Sequence, residues 1–221
     1  MRRRSFLSTA SASIAAICIR QELVRAASGK AIRIGLVADP QYADIDTWNT
    51  RFYRQSVGKL GEAIAHFNGL ELDFCVNLGD LIDKHWQSYD AIFDPLSKSK
   101  HTFHHVLGNH DFDLLDEFKP RVPNRMGMPN RYYTWSLDPW VFAFLDTTDV
   151  SLYAQAIDKP EYAIANQQLT QLKATGAKNA QSWNSALSTR QIDWFEATCQ
   201  SAALKNQRII VFSHHPVFPE N

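Results

Sequence analysis

The sequence predicts an α/β fold. Three observations carry that prediction: short apolar runs of strand length recur along the chain, segments of helical period lie between them, and four of the runs end in clusters of Gly, Asp, Asn and His. There is no internal repeat and no low-complexity tract.

The first strand is read in AIRIGLVAD, Ala31 to Asp39. Tyr53, Val57, Leu60, Ile64 and Phe67 then recur at steps of four, three, four and three, which sets them on one face of a helix. DFCVNLGD, Asp73 to Asp80, gives a second strand, whose Cys75 is expected to be a buried core thiol. A short helical segment around Tyr89 to Phe93 is expected to break at Asp94-Pro95. HTFHHVLGNHD, His101 to Asp111, contains a third strand, and alternation along it sends His104 and His105 to opposite faces, as structural residues. RYYTWSL, Asp138-Pro139 and WVFAFLD read as a β-hairpin over Arg131 to Asp146. Residues 151–187 are rich in Ala, Gln and Asn and read as irregular or weakly helical. Ser188 with Gln191 forms a capping box, opening a helix expected to bury Ile192, Phe195 and Cys199. The last strand lies in RIIVFSHHP, Arg208 to Pro216.

The chain has 221 residues, 45% of them hydrophobic, which suffices for a sizeable core. It carries 23 basic and 23 acidic residues with no long run of one sign, so it lacks the basic footprint of a nucleic-acid binder. That balance joins two unlike segments. Arg2, Arg3 and Arg4 precede a mildly apolar stretch, Leu7 to Ile19, and small residues follow at Ala26 and Ala27, the pattern of an export signal over residues 1–26. The stretch is shorter than the roughly 20 apolar residues of a membrane span. Arg3-Arg4-Ser5-Phe6-Leu7 is similar to the twin-arginine pattern, which predicts an exported protein, periplasmic or extracellular. Cys18 lacks the small residue before it that a lipoprotein signal needs, so no membrane anchor is expected. Removing Arg2, Arg3, Arg4, Arg20, Arg25 and Glu22 leaves residues 27–221 at a net charge of −4. Cys75 and Cys199 alone make no disulfide framework.

The chemistry concentrates after the strands. Asp39-Pro40-Gln41 follows the first, Gly79-Asp80 the second, Gly108-Asn109-His110-Asp111 the third and Ser213-His214-His215 the last. Ligands of α/β sheets sit outside the carboxyl ends of the strands, so these groups can converge on one site. The donors are oxygens and imidazoles without thiolates, a set suited to Mn²⁺, Fe²⁺ or Zn²⁺. Two such ions polarise a phosphoryl oxygen and lower the pKa of an attacking water. Arg51 and Arg54 lie near the start of the first helix; a guanidinium pairs with phosphate, but the plainer reading makes them solvated helix residues. Asp146 and Asp149 are set aside.

Asp39-x-Gln41, LGDLID (Leu78 to Asp83), LGNHD (Leu107 to Asp111) and SHHP (Ser213 to Pro216) resemble the first four sequence blocks of the calcineurin-like metallophosphoesterases. The resemblance implies a four-layer α/β/β/α sandwich and a two-metal hydrolase. By that resemblance Asp39 and Gln41 bind the first ion, Asp80 bridges both, and Asn109 and His214 bind the second. His110 protonates the leaving oxygen or steadies the transition state, and Asp83 holds its imidazole.

Most members carry His where Gln41 stands. ADPQYADID, Ala38 to Asp46, with RFYRQSVGKL, Arg51 to Leu60, is similar instead to the manganese-dependent ADP-ribose/CDP-alcohol diphosphatases. This implies a small nucleotide-linked substrate, with Tyr42 stacking on its base; from the residue alone, an ordinary half-buried tyrosine is the equal alternative. A neutral amide ligand favours a harder ion such as Mn²⁺. The family's fifth block, Gly-His-x-His, is not found in the 221 residues. The chain is therefore expected to be C-terminally truncated, a fragment or a shortened product. A general exported phosphomonoesterase or phosphodiesterase, and an inert shortened chain, are the rival expectations.

Overall fold

The computed structural model describes residues 31–216. The targeting peptide expected over residues 1–26 lies outside the described residues. Among the described residues, six strands and five helices follow in chain order. They are β1 (Ile34–Val37), α1 (Ser56–Asn68), β2 (Phe74–Asn77), α2 (Ser88–Ser97), β3 (Phe103–His105), α3 (Val122–Arg125), β4 (Tyr133–Leu137), β5 (Trp140–Phe144), α4 (Pro160–Ala174), α5 (Thr189–Leu204) and β6 (Arg208–Phe212). They form two three-stranded sheets. One has the order β1-β2-β3, all parallel, and the other the order β4-β5-β6, with β5 antiparallel to β4 and parallel to β6.

The sheets pack face to face through aromatic side chains. Phe74 of β2 meets Phe142 of β5 at 4.7 Å between ring centroids and Trp135 of β4 at 4.9 Å, while within the second sheet Phe144 stacks on Phe212 at 5.2 Å. These rings, with Val76, Leu107 and Phe112, belong to one buried cluster, so the aromatic payload of the hairpin fixes how the two sheets meet. α1 packs on α2, and α5 lies beside β6, where Trp194 meets Tyr132 at 4.8 Å. This is the expected α/β/β/α layering, and it brings the carboxyl ends of β1, β2, β3 and β6 to one rim.

On α1, Leu60 and Ile64 are buried and Val57 and Phe67 half-buried; Tyr53, also buried, lies in a turn of 3₁₀-helix just before it. His104 turns between the sheets and stacks on Phe144 at 5.0 Å, whereas His105 faces Phe93 of α2. Cys75 is fully buried, and burial raises its thiol pKa.

Three local expectations are corrected. Pro95 does not break its helix: α2 continues to Ser97, because the proline falls in the last turns and buries its ring, with Leu96, in the core. Residues 160–174, read as weakly helical, form a regular helix; Pro160 starts it, but only Ala165 is buried, so no apolar stripe marked it. In α5 the capping box is half made. Ser188 Oγ accepts from Gln191 N at 3.2 Å, but the Gln191 side chain turns inward, and Ile192, Phe195 and Cys199 are only half-buried. Gln191 is fully buried because its amide completes a backbone: Oε1 accepts from Asp146 N at 2.8 Å and Nε2 donates to Asp146 O at 2.9 Å.

Candidate metal centre

β1 and β2 are parallel neighbours, so the residues following them leave the sheet side by side. Asp39 N donates to Gly79 O and Gln41 N to Asp80 O, continuing the pairing past both strands. Asp39, Gln41 and Asp80 all adopt left-handed backbone, with φ of 53°, 47° and 52°. Such a conformation costs a non-glycine residue on the order of 1–3 kcal/mol and persists where surrounding contacts over-determine it. Here it turns the side chains toward a common point.

Two glycines make the approach possible. Gly79 has φ of 103°, and a Cβ there would lie 2.6 Å from His214 Nδ1. A Cβ on Gly108 would collide with the Asp80 carboxylate and amide. Four strand ends therefore meet at distances that side chains elsewhere would forbid.

The structure brings together all five expected ligands. The ligand atoms of Asp39, Asp80 and His214 lie within 4.8 Å of one another. Gln41 Nε2 is 3.1 Å from Asp80 Oδ2 and 3.4 Å from Asp39 Oδ1, and His214 Nε2 is 3.5 Å from Asp80 Oδ2 and 3.3 Å from Asn109 Oδ1. His214 Nδ1 faces the Leu78 carbonyl at 2.9 Å, which accepts only, so the proton sits on Nδ1. That leaves the Nε2 lone pair facing two oxygens that are themselves acceptors. Of these three acceptors only Asp80 Oδ2 meets a donor among the described residues, the Gln41 amide, and such a convergence is one that a cation satisfies, so these residues fit a divalent ion.

His110 and Asp83 form a second group beside the first. His110 Nδ1 lies 2.7 Å from Asp83 Oδ1, and His110 N donates to Asp80 Oδ1 at 2.8 Å. The Asp83 hydrogen bond, against burial, holds the His110 imidazole above its ordinary pKa. Burial pushes Asp83 up, but hydrogen bonds from His110 and Tyr53 and the charge of Arg51 outweigh it, and its carboxyl stays below the usual range. Burial raises Asp80, opposed by His214 and His110. Asp83, His110 and Asp113 also make a second candidate ligand group.

Arg51, read from the sequence as a solvated helix residue or a phosphate partner, lies beside the site. Its Nη1 lies 3.4 Å from both His110 Nε2 and Asp83 Oδ2. Arg54 turns outward to Asp44 and Asp46. The two arginines are three apart, and only the tertiary path of the loop separates their roles. Tyr42 is half-buried against the core, and its backbone pairs with Leu81 and Asp83. Asp146 and Asp149, set aside from the sequence, are structural: Asp146 binds Arg131 Nε at 2.6 Å, and Asp149 accepts from Ser188 N and Gln191 Nε2.

Four strand ends presenting oxygen and imidazole donors to one point, with a carboxylate-held histidine alongside, define a metal-dependent phosphohydrolase. The sequence model of the calcineurin-like phosphoesterase family matches residues 32–221, and the chain belongs to that family. Among its relatives, a manganese-dependent ADP-ribose/CDP-alcohol diphosphatase of Arabidopsis thaliana is 29% identical, over 84% of this chain and 68% of that one. The Homo sapiens protein of the same name is 25% identical, over 90% of this chain and 70% of its own. The crystal structure of a dimetal phosphatase from Danio rerio superposes with a TM-score of 0.73 at 26% identity, covering 85% of this chain and 71% of that one.

Proposed function

We propose that the enzyme hydrolyses the diphosphate linkage of nucleoside diphosphate-linked compounds such as ADP-ribose or CDP-alcohols, with Mn²⁺ as its ion. The observation that carries this reading is Gln41, whose side-chain amide lies against both Asp39 and Asp80. Turned over, that amide offers a neutral oxygen, which suits a hard ion better than imidazole would. Relatives that carry the diphosphatase name support the same substrate class.

Asp39, Gln41 and Asp80 would hold one ion, and Asp80, Asn109 and His214 the other. When bound, the ions supply Lewis-acid polarisation of a phosphoryl oxygen and a more acidic water nucleophile. The protein's own groups do the rest. Arg51, beside His110 and Asp83, pairs with a phosphate oxygen of the substrate. Asp83 holds a proton on His110 Nδ1 and favours the imidazolium, and from Nε2, on the Arg51 side of the ring, His110 delivers a proton to the phosphate oxygen that departs as water adds to phosphorus. The nucleotide side of the substrate is assigned to Tyr42, as the family resemblance implies.

A substrate panel tests this. Purified protein with Mn²⁺ is expected to convert ADP-ribose to AMP and ribose 5-phosphate, and CDP-choline to CMP and phosphocholine. Cleavage of a simple phosphomonoester with both diphosphates left intact overturns it.

We also propose export of residues 27–221 through the twin-arginine route, supported by Arg3-Arg4-Ser5-Phe6-Leu7. Replacing Arg3 and Arg4 with lysine should retain the protein in the cytoplasm; unchanged export would defeat this reading.

A further inference from the structure

We propose that Asp111 is the positioning residue of the metal centre, a carboxylate that binds no ion and locks together the two loops that carry Asp80 and Asn109. This inference rests on the metal-binding reading of the site.

Asp111 is fully buried, and each of its oxygens serves backbone. Oδ1 accepts from Leu81 N at 2.9 Å and Ile82 N at 3.4 Å, both in the loop after β2. Oδ2 accepts from Asp80 N at 3.1 Å, in the same loop, and from Gly108 N at 2.9 Å, in the loop after β3. The Tyr89 hydroxyl of α2 donates to the Asp111 backbone carbonyl at 3.3 Å, fixing the residue from behind.

The contact is reciprocal. Asp111 takes the amide of Asp80, and Asp80 Oδ1 takes the amide of His110 at 2.8 Å. Each loop thus contributes one carboxylate to the other's backbone. Asp80 needs that brace, because its φ of 52° lies in a region a non-glycine residue holds only when its surroundings enforce it. The Asp111 bonds aim four N–H groups inward, and the turn they impose presents Asp80 outward, toward His214 and Asn109. Outer groups that orient metal ligands in this way are worth about 10- to 100-fold in metal affinity.

Asparagine has almost the same shape but offers one acceptor oxygen and an NH₂ group, which opposes a backbone N–H that can only donate. Whichever way its amide turns, Asp111→Asn loses two of the four backbone bonds and loosens the clamp. The expected result is that Mn²⁺ binding, read by electron paramagnetic resonance of the free ion during titration, weakens by about tenfold or more. Circular dichroism in EDTA should still show a folded chain. Unchanged Mn²⁺ affinity in folded D111N overturns the proposal.

If D111N does not fold, hydrogen exchange on the metal-free wild-type chain decides. The amides of Asp80, Leu81 and Gly108 are expected to exchange as slowly as those of Phe74 to Asn77; fast exchange at the three while β2 stays protected overturns the proposal. A wild-type chain that takes up no Mn²⁺ defeats the metal reading and not the clamp, which the exchange result then settles alone.

Discussion

His110 Nδ1 and Asp83 Oδ1 lie 2.7 Å apart, a short side-chain contact between the loop after β3 and the loop after β2. Asp83 is 27 residues earlier in sequence and almost fully buried, so its carboxylate is a fixed reference against which the imidazole is set. Asp83→Asn removes the charge that favours the imidazolium. The expected outcome is a fall in kcat of roughly 10- to 100-fold with metal content unchanged, measured by steady-state kinetics and elemental analysis on the same preparation. Equal kcat in the two proteins would remove the pair from the mechanism.

Arg51 and Arg54 should part company. Arg51→Ala removes the guanidinium beside His110 and is expected to lower kcat/KM by about 10- to 100-fold, the worth of a charge-assisted bond to phosphate. Arg54 is half exposed and pairs with two exposed aspartates, so Arg54→Ala should leave both kinetics and melting temperature as they are. Equal losses in the two variants would contradict the assignment.

Gly108→Ala tests the close approach of the two loops. A Cβ at residue 108 overlaps the Asp80 carboxylate, so Asp80 must leave its position. Metal content should fall, measured by elemental analysis after gel filtration, and an alanine variant with full metal content would contradict the geometry.

His105 predicts how the fold responds to acid. It is buried beneath α2, its Nδ1 has no hydrogen-bond partner among the described residues, and burial pushes its pKa down to about 4 from 6.5. The unfolded chain takes up a proton below pH 6.5 and the folded chain does not until about pH 4. The stability this residue contributes is therefore complete above pH 6.5 and is lost as pH falls toward 4, about 2 kcal/mol by pH 5. In EDTA, urea unfolding at pH 7 and pH 5 should show a smaller drop for His105→Phe than for wild type, and equal drops would contradict the reading.

Much of this was legible in the sequence because the information is local. Strands β1, β2 and β6 announce themselves as apolar runs, and β4 and β5 as a hairpin split by Asp138-Pro139. Gly-Asp and Gly-Asn-His-Asp mark strand ends where a tight turn delivers polar groups together. What escaped depends on contacts far apart along the chain. The exposed helix Pro160–Ala174 has no apolar stripe. Arg51 and Arg54 look alike until the loop carries one to His110 and the other to Asp44. Gln191 reads as half of a capping box, yet its amide serves Asp146, 45 residues away. Asp111 closes the Gly-Asn-His-Asp motif, but the four backbone amides that it gathers can be counted only once both loops are folded.

Asp80 is proposed to serve both ions at the rim where β1, β2, β3 and β6 end. Mn²⁺ stoichiometry in wild type and Asp80→Asn tests it most directly. Two equivalents per chain are expected in wild type and fewer than one in D80N, with phosphohydrolase activity lost in step. Wild type that takes up no Mn²⁺, or D80N that binds as much as wild type, would contradict it.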